Sequence, residues 1–395
     1  MDVDVEIMDV ISKYHVPNLK LRKKINRLSG DNLDFCYQCS SCSGICPINM
    51  VSSYNPRELI HLGQLGLELE PSDIEKLWRC TTCGACEKMC PKEVKLTDIF
   101  TAYRSQVVEE GGKVPHTYTQ TLQSFYTYGN PFNLRSAERA DWAKGLDVPT
   151  AKKGTEVLYF VGCTASYDPR AQNIAKSLSK IFNHTKLDYG IGGKNERECG
   201  NCVNFMGESV LADYEKEKNE KIIRDIHPTT IVTTSPHSFN RFKHDYDVPE
   251  GTEVLHYTEL LDRLIKEGKV EFKDPTEEKI ITYHDACYLA RHNGIYKKPR
   301  RTLKLIPGVK LVEMPNNRDL AICCGGGGGN VWAETKVDER LSIPRLNEAL
   351  GTGASILATA CYFCLIMFID AVKTVNREDD IAIFDIAEIV SENLL

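Results

Sequence analysis

Two stretches of the sequence carry the same pattern of cysteines, Cys36-Tyr-Gln-Cys39-Ser-Ser-Cys42-Ser-Gly-Ile-Cys46-Pro47 and Cys80-Thr-Thr-Cys83-Gly-Ala-Cys86-Glu-Lys-Met-Cys90-Pro91. In each stretch two residues separate the first three cysteines from one another, and a fourth cysteine follows after three residues and directly precedes proline. Zinc sites built from paired C-x-x-C motifs do not call for a third and fourth cysteine at these positions, or for the proline. The pattern is instead that of the bacterial run that binds iron–sulfur clusters.

The two runs predict two cubane 4Fe-4S clusters. In proteins with two such runs, the fourth cysteine of each run binds the cluster of the other. We therefore expect cluster one to be held by Cys36, Cys39, Cys42 and Cys90, and cluster two by Cys80, Cys83, Cys86 and Cys46. Two adjacent clusters of this kind form an electron relay, so that substrate chemistry is expected elsewhere in the chain.

The composition is that of an ordinary folded protein except for its 16 cysteines among 395 residues. Charged residues make up 26% and hydrophobic residues 42%, which excludes disordered, collagen-like and coiled-coil classes. The chain is far longer than the small secreted domains that depend on disulfides, and Met1 is followed by acidic residues, not by a signal peptide. We expect a reducing, cytoplasmic location, in which the thiols bind metals or carry out redox chemistry.

Charge and hydropathy exclude two further classes. With 49 basic and 55 acidic residues the net charge is −6, so the sequence shows no overall basic surface for nucleic acid. No apolar run approaches the roughly 18 residues needed to cross a bilayer, the richest being residues 361–372. The chain is therefore expected neither to bind nucleic acid nor to span a membrane.

The cysteine pattern divides the chain into unlike parts. Eight cysteines lie between Cys36 and Cys90, flanked by predicted helices over 59–69 and 95–108. After a linker-like segment at 145–154, short apolar strands alternate with helices, which predicts α/β layers with parallel sheets. The predicted strands span 157–161, 230–234, 254–257, 279–283, 310–313, 355–359 and 381–384, and two of the helices span 170–182 and 208–226.

The α/β region contains an internal repeat. The segments at 157–163, 234–239 and 254–261 match those at 281–287, 360–365 and 383–390, with an offset that drifts only from 124 to 129 residues. We predict a multidomain α+β and α/β fold: a helical dicluster ferredoxin-like domain (1–150), then two repeated subdomains (151–275 and 276–395) related by a pseudo-twofold axis.

The second subdomain contains five cysteines, Cys287, Cys323, Cys324, Cys361 and Cys364. They fall in three loops, each predicted to follow a strand, so that they converge at the carboxyl edge of a parallel sheet. The Gly325–Gly329 run lacks the Lys-Ser/Thr of a phosphate-binding loop. We expect Gly325 and Gly326 to allow close approach of the backbone to an inorganic cluster.

These five cysteines resemble the CCG cysteine-rich domain found in the B and D subunits of heterodisulfide reductase. The surrounding segments Thr282-Tyr-His-Asp285, Arg291-His-Asn-Gly-Ile-Tyr296 and Gly326–Trp332 are similar as well, and the N-terminal half resembles the ferredoxin-like C subunit, including Gly129-Asn-Pro-Phe132 and Trp142. Fusion of a C-like half to a B-like half is the layout of the D subunit. The resemblance implies a non-cubane 4Fe-4S cluster held by all five cysteines, at which a disulfide is reductively cleaved.

The first subdomain departs from this family pattern. Cys163 and Cys199-Gly200 are present, but Glu198 replaces the neighbouring cysteine and Ser235-Pro-His-Ser238 replaces the C-x-x-C. Serine is a poor ligand for iron–sulfur iron, so we predict one non-cubane cluster, not two. For Cys163, Cys199 and Cys202 three alternatives stay open: packing residues, a zinc or other metal site with His237, or thiols that receive a sulfur product.

Charged and titratable residues near Cys287 suggest further roles. His284 and Asp285 would protonate a leaving thiolate, or fix the cysteine loop by hydrogen bonds. Arg291, Arg300 and Arg301 would bind an anionic substrate, or, for at least one of them, be a solvated charge.

Two functions follow from the resemblance. The first is a heterodisulfide reductase-like enzyme subunit that acts on the coenzyme B/coenzyme M disulfide of methanogenesis or on a related thiol disulfide, protein disulfide or trisulfide. The alternative is a non-catalytic electron-transfer subunit of a flavin-dependent 2-hydroxy acid or glycerol-3-phosphate dehydrogenase. Either requires an electron-exchanging partner, of flavin or ferredoxin type or a membrane cytochrome b. The latter would hold the chain at the cytoplasmic face of the membrane in an anaerobic cell.

Overall fold

The N-terminal part is helical. The computed structural model describes residues 17–395, so the expectation about a signal peptide at Met1 lies outside the described residues. The helices are α1 (Leu19–Ser29), α2 (Ser41–Ile45), α3 (Pro56–Leu65), α4 (Pro71–Arg79), α5 (Ala85–Lys88), α6 (Leu96–Glu109) and α7 (His116–Tyr128). Proline opens both α3 and α4, where its missing N–H costs no helical hydrogen bond. Helix α3 ends earlier than predicted because Gly66 adopts a left-handed φ of 68°.

The rest of the chain forms two four-stranded parallel sheets, which confirms the predicted fold class. The strands are β1 (Val157–Phe160), β2 (Tyr189–Ile191), β3 (Thr230–Thr233), β4 (Glu253–His256), β5 (Lys279–Tyr283), β6 (Val309–Val312), β7 (Ile356–Thr359) and β8 (Ala382–Asp385). The sheet orders are β2-β1-β3-β4 and β6-β5-β7-β8, one pattern used twice. The sequence analysis missed only β2, whose three residues include a central glycine that weakens the strand signal.

Helices cover both sheets. In the first subdomain they are α8 (Cys163–Tyr167), α9 (Gln172–His184), α10 (Asn201–Phe205), α11 (Ser209–Ile226), α12 (Pro236–His244) and α13 (Tyr257–Lys266). In the second they are α14 (Lys297–Leu305), α15 (Ser342–Leu350), α16 (Tyr362–Thr374) and α17 (Ile386–Glu392). The segment predicted as a linker is partly ordered along the first sheet, where Thr150 bridges Ile191 of β2. The exact domain boundaries stay a prediction.

The two subdomains meet through equivalent elements. Helix α9 packs on α17, and α13 packs on α14. The two contacts are equivalent, because the internal repeat relates α9 to α14 and α13 to α17. Helices α13 and α17 both begin with a capping box, and the boxes lie 129 residues apart (His256 with Glu259, and Asp385 with Glu388). Glu388 pairs with Arg170 at 2.5 Å, and its counterpart Glu259 pairs with Lys298 at 2.5 Å. The repeat therefore extends to the polar contacts of the interface.

The dicluster domain is fixed to the second subdomain by backbone contact. An added Cβ at Gly327 would overlap the Thr81 carbonyl oxygen, and one at Gly328 would overlap that of Cys80. The fully buried Arg104 joins the same elements, since it donates to the carbonyl oxygens of Cys80 at 2.7 Å and Gly328 at 2.8 Å. The glycine run thus allows two backbones to touch.

Within residues 17–395, no helix has both the length and the apolar character needed to cross a membrane.

The glycine contact can be tested by substitution. We expect Gly327→Ala to lower the thermal midpoint of the cluster-loaded protein, because the new methyl group meets rigid backbone; overpacking of this kind costs about 1–3 kcal/mol. Gly351→Ala is the matched control, since its Cβ would meet its nearest neighbour at an ordinary 3.4 Å. Equal midpoints for the two variants would contradict the proposed close approach.

A buried carboxyl group at the subdomain interface is expected to make the stability of the protein depend on pH. Burial raises the pKa of Asp385 to about 8, and Tyr257 donates a hydrogen bond to its carboxyl group at 2.6 Å. The unfolded chain loses this proton near pH ~4, so between pH ~4 and ~8 the folded state holds a proton that the unfolded state lacks. Stability should therefore fall as pH rises through this window, by on the order of 1 kcal/mol per pH unit.

The variant Asp385→Asn retains the helix cap but cannot titrate. Its stability should change less between pH ~5 and ~8 than that of the wild type, as measured by thermal unfolding. Asp379→Asn, at an exposed position of the same subdomain, serves as the control. Parallel pH profiles for the wild type and Asp385→Asn would contradict the assignment.

Candidate functional site

The N-terminal cysteines form two groups of four, each including one member of the other run. Cys36 has Cys90 and Cys39 as electrostatic neighbours, and Cys42 has Cys36 and Cys39. Cys46 lies near Cys83 and Cys80, and Cys86 lies near all three of these. The structure therefore brings together the same two sets of thiols that the cluster spacing predicts.

The backbone of the two runs is also shaped alike. Gln38 and Thr82, both two residues after the first cysteine of their run, have left-handed φ values of 64° and 49°. Ser40 and Gly84, both four residues after it, have φ values of 70° and 71°. Left-handed backbone at non-glycine residues is costly and persists where the surroundings impose it. The shared shape turns the thiols of each run towards one point.

The group of Cys46, Cys80, Cys83 and Cys86 surrounds a small internal cavity. Apolar side chains such as Ile48 and Phe100 complete its wall. The buried Tyr54 hydroxyl has no nitrogen or oxygen partner among the described residues, and its hydrogen bond goes to the Cys80 sulfur. Burial raises the pKa of Cys46, so that these thiols are protonated until a metal replaces the protons. Four thiols around one apolar-walled cavity are the donor set that a 4Fe-4S cluster takes.

The group of Cys36, Cys39, Cys42 and Cys90 faces solvent. Cys39 is exposed, and its hydrogen bond with Ser41 lowers the pKa of its thiol. Phe35 and Tyr37 next to this group are each 58% exposed, and Met89 is 46% exposed. This end of the dicluster domain is therefore the more accessible of the two.

The five cysteines of the second subdomain gather in its interior. All are at most 5% exposed: Cys287, Cys323, Cys324, Cys361 and Cys364. Hydrogen bonds from Cys323 and Cys364 lower the pKa of Cys324. Within the described residues, one group of three potential metal ligands lies within 4.8 Å of one another, namely His284, Cys324 and Cys364.

The loops that carry these cysteines differ in part from the prediction. Cys287 and Cys361 follow β5 and β7 as expected. Cys323 and Cys324 do not follow a strand, because β6 ends at Val312 and an irregular segment intervenes. Gly325 donates its N–H to the Cys323 sulfur at 3.3 Å, whereas Gly326 packs on Met367 and Phe363.

The dicluster and CCG thiols meet directly. A hydrogen bond with the Cys323 thiol, together with burial, raises the pKa of Cys83. Two further contacts fix this junction: the Tyr288 and Thr82 hydroxyls lie 2.9 Å apart, and the His292 ring nitrogen lies 2.9 Å from the Thr82 carbonyl oxygen. The second cysteine group is thus continuous with the CCG site.

His284 is held beside the CCG thiols in its neutral form. Its Nδ1 accepts a hydrogen bond from Arg345 Nε at 3.2 Å, and burial lowers its pKa well below the usual value. Asp285 is bound by both terminal nitrogens of Arg300, at 2.6 and 2.7 Å. Of the two roles expected for Asp285, these contacts favour the one in which it fixes the cysteine loop by hydrogen bonds, because both carboxyl oxygens are already engaged.

The arginines predicted to bind substrate already have partners. Arg300 also pairs with Glu313 at 2.6 Å, and Arg301 pairs with Asp262. Arg291 is 3% exposed and donates to backbone carbonyl oxygens. None of the three therefore presents a free guanidinium group to an anionic substrate in solution. Sequence analysis missed these partners because no motif links them to the arginines.

The cysteines of the first subdomain line a separate small cavity together with Glu198 and His237. Arg139 donates to the Cys163 sulfur at 3.5 Å and pairs with Glu196 at 2.8 Å. Asn201 lies 3.1 Å from His237 Nδ1. Among the residues described, the thiols here do not form a group with metal-binding distances. A preformed zinc site is therefore not seen at these residues. The three alternatives for these cysteines stay predictions.

An open cleft lies between the dicluster domain and the second subdomain. Trp78 and His116 line one side, and Gly325, Leu341 and Met367 line the other. Sequence analysis missed this cleft because no local pattern marks the meeting of segments so distant in the chain. It ends one residue from Cys324, and is the open approach to the CCG loop.

Comparisons with known families agree with the arrangement of these sites. A family model described as "Cysteine-rich domain" (CCG) matches residues 157–243 and 281–369, and one described as "4Fe-4S dicluster domain" matches residues 32–94. A solved structure of a hypothetical protein from Helicobacter pylori has a TM-score of 0.56 at 9% identity, covering 98% of this chain and 74% of that one, which bears on the fold alone.

Several curated proteins are similar in sequence. The probable iron-sulfur-binding oxidoreductase FadF of Bacillus subtilis is 37% identical, and the EtfAB:quinone oxidoreductase of Syntrophomonas wolfei is 30% identical. The matches cover 81% and 80% of this chain but 47% and 46% of those proteins, so the chain spans about half their length. The D subunit of the dihydromethanophenazine:CoB--CoM heterodisulfide reductase of Methanosarcina barkeri is 30% identical over 92% of this chain and 94% of its own. The chain therefore belongs to the family that comprises the heterodisulfide reductase D subunits and related iron–sulfur oxidoreductases.

Proposed function

We propose that the chain is an iron–sulfur oxidoreductase subunit that carries electrons from a partner protein to the CCG site and there reduces a sulfur–sulfur bond. The observation that carries the proposal is the contact between Cys83 and Cys323, which joins the two sites without an intervening segment. Two cubane clusters and one non-cubane cluster, when bound, would supply one-electron carriers and an iron that takes up a thiolate product. The proposed ligands are the eight cysteines between Cys36 and Cys90 and the five CCG cysteines.

The protein's own residues give this path a direction. Cys39 is exposed, whereas Cys83 and Cys323 are at most 7% exposed. Electrons therefore enter at the exposed group, and the later part of the path is shielded from water and from oxidants in solution. The donor is a flavin or ferredoxin-type protein or a membrane cytochrome b, which would place this chain in the cytoplasm or at the cytoplasmic face of the membrane.

The cleft favours some disulfides over others. Its arginines are already paired, Arg79 with Glu339 at 3.1 Å and Arg340 with Asp370 at 2.6 Å, and Glu75 adds a further carboxylate to the wall. A highly anionic disulfide would meet like charge there. A neutral thiol disulfide, or a protein disulfide or trisulfide, suits the cleft better than the coenzyme B/coenzyme M disulfide.

Burial of the CCG thiols favours a second candidate, a non-catalytic electron-transfer subunit. None of the five cysteines lines the cleft, and transfer of electrons alone would need no substrate contact. The similarity to FadF and to an EtfAB:quinone oxidoreductase supports this alternative, in which a flavin protein would carry out the substrate chemistry.

Cluster loading tests the proposed ligands. Anaerobically loaded wild type should contain about 12 iron atoms per chain, and Cys324→Ser about 8, because one cluster of four is lost. The variant Cys202→Ser is the matched control and should retain the wild-type iron and sulfide content. Iron for four clusters in the wild type, or equal loss in both variants, would show that the first subdomain binds a cluster too.

Disulfide reduction tests the activity. With reduced methyl viologen as donor, the reaction RSSR + 2 electrons + 2 protons → 2 RSH should proceed faster with oxidised 2-mercaptoethanol than with the coenzyme B/coenzyme M disulfide. Cys361→Ser should lower the rate by about 100-fold or more, since the site loses its cluster, and Cys202→Ser should leave it within about twofold. Loaded protein that reduces neither disulfide, while accepting viologen electrons into its clusters, would support the electron-transfer alternative.

A further inference from the structure

Arg291 is a buried cation at the junction between the dicluster domain and the CCG site. It follows Cys287 by four residues, and its Nε donates to the Cys83 carbonyl oxygen at 2.8 Å. Its Nη1 donates to the carbonyl oxygens of Ala321 at 2.7 Å and Asp319 at 3.2 Å. Three carbonyl groups from both domains thus fix the position of the guanidinium group.

The charge of Arg291 is not neutralised by the described part of the chain. Arg139 and Arg300, also buried, pair with Glu196 and Asp285, and Arg345 pairs with Glu348 at 2.5 Å. Within residues 17–395, Arg291 has no carboxylate partner and its Nη2 has no nitrogen or oxygen acceptor, so that the Cys83 sulfur is the side-chain acceptor nearest to the guanidinium group. An unpaired ion with an unused donor in the interior is expensive unless an anion completes the site.

The anions that lie nearest are the cysteine sulfurs of both clusters. The guanidinium group lies beside Cys83, Cys287 and Cys323, whose charges act on it. Cys83 is a proposed ligand of cluster two, and Cys287 and Cys323 are proposed ligands of the CCG cluster. Metal binding turns these neutral thiols into thiolates, so that the missing counter-charge is present when the clusters are bound.

We infer that Arg291 is a positioning residue for electron transfer, whose fixed positive charge and free Nη2 donor stabilise the reduced states of cluster two and the CCG cluster together. This inference rests on the proposed ligands but not on the substrate. Reduction adds one electron to a cluster, taken in the test from dithionite, and no bond forms or breaks. Charge and hydrogen bonds to cluster sulfurs are established determinants of reduction potential.

The direction of the effect follows from electrostatics. Each added electron makes a cluster more negative, so a nearby cation favours the reduced form, and in a poorly solvated interior the effect is weakly screened. Because Arg291 lies beside thiols of both clusters, it favours reduction at both. The difference between their two reduction potentials therefore changes little. Since arginine stays charged across the accessible pH range, its contribution to the potentials does not vary with pH.

The experiment is a redox titration of the loaded, full-length protein, followed by electron paramagnetic resonance. Arg291→Gln should lower the equilibrium constant for reduction by about tenfold or more at both clusters, a fall of about 59 mV for a one-electron couple. Arg291→Lys retains the charge without the fixed donors and should give a smaller fall, of roughly two- to tenfold. Cluster one, which does not contact Arg291, should titrate as in the wild type.

Two controls separate this role from a structural one. The double variant Arg139→Gln/Glu196→Gln removes a buried guanidinium group beside Cys163, where no cluster is proposed, and Arg301→Gln removes a half-exposed one paired with Asp262. Both should leave the potentials unchanged. Iron content and thermal midpoint are measured for every variant.

Potentials unchanged from the wild type in Arg291→Gln would overturn the inference, as would equal shifts in the controls. If Arg291→Gln fails to retain iron, Arg291→Lys decides: a fall confined to cluster two and the CCG cluster supports the role, and unchanged potentials refute it. The outcome is independent of the disulfide assay, since a protein that reduces no disulfide still yields its cluster potentials.

Discussion

The arrangement of the molecule depends on the contact of two backbones, Gly327–Gly328 against Cys80–Thr81. No side chain larger than hydrogen fits between them, and Arg104 fixes both through carbonyl hydrogen bonds. The same elements place Cys83 against Cys323. Main-chain packing thus determines the position of the dicluster cysteines relative to the CCG cysteines.

The two subdomains show how a repeat can diverge in its site while retaining its interface. The equivalent ion pairs and capping boxes at the pseudo-twofold axis are both present. At the sites themselves, the ion pair of Arg139 with Glu196 lies beside Cys163 in the first subdomain, whereas five thiols gather in the second. The first half thus still supports the second structurally although it lacks residues that the family pattern requires.

The sequence was sufficient for features that depend on local pattern. Parallel strands followed from apolar runs at regular separation, and the two N-terminal cysteine groups followed from spacing. The Gly325–Gly329 run was identified, but its approach to Thr81 required the tertiary structure. The sequence left two alternatives open for Asp285 and for Arg301 for the same reason, since their partners Arg300 and Asp262 are fixed by packing and not by any motif. Strand β2 was too short to give a periodic signal.

The uneven burial of the thiols also determines how the protein meets oxygen. Cys39 is exposed, and in the metal-free chain its lowered pKa gives it more of the thiolate form that oxidants attack. Oxidants in solution therefore reach the group of Cys39 first and the buried CCG cysteines last. Damage confined to the outer group would leave the interior thiols intact.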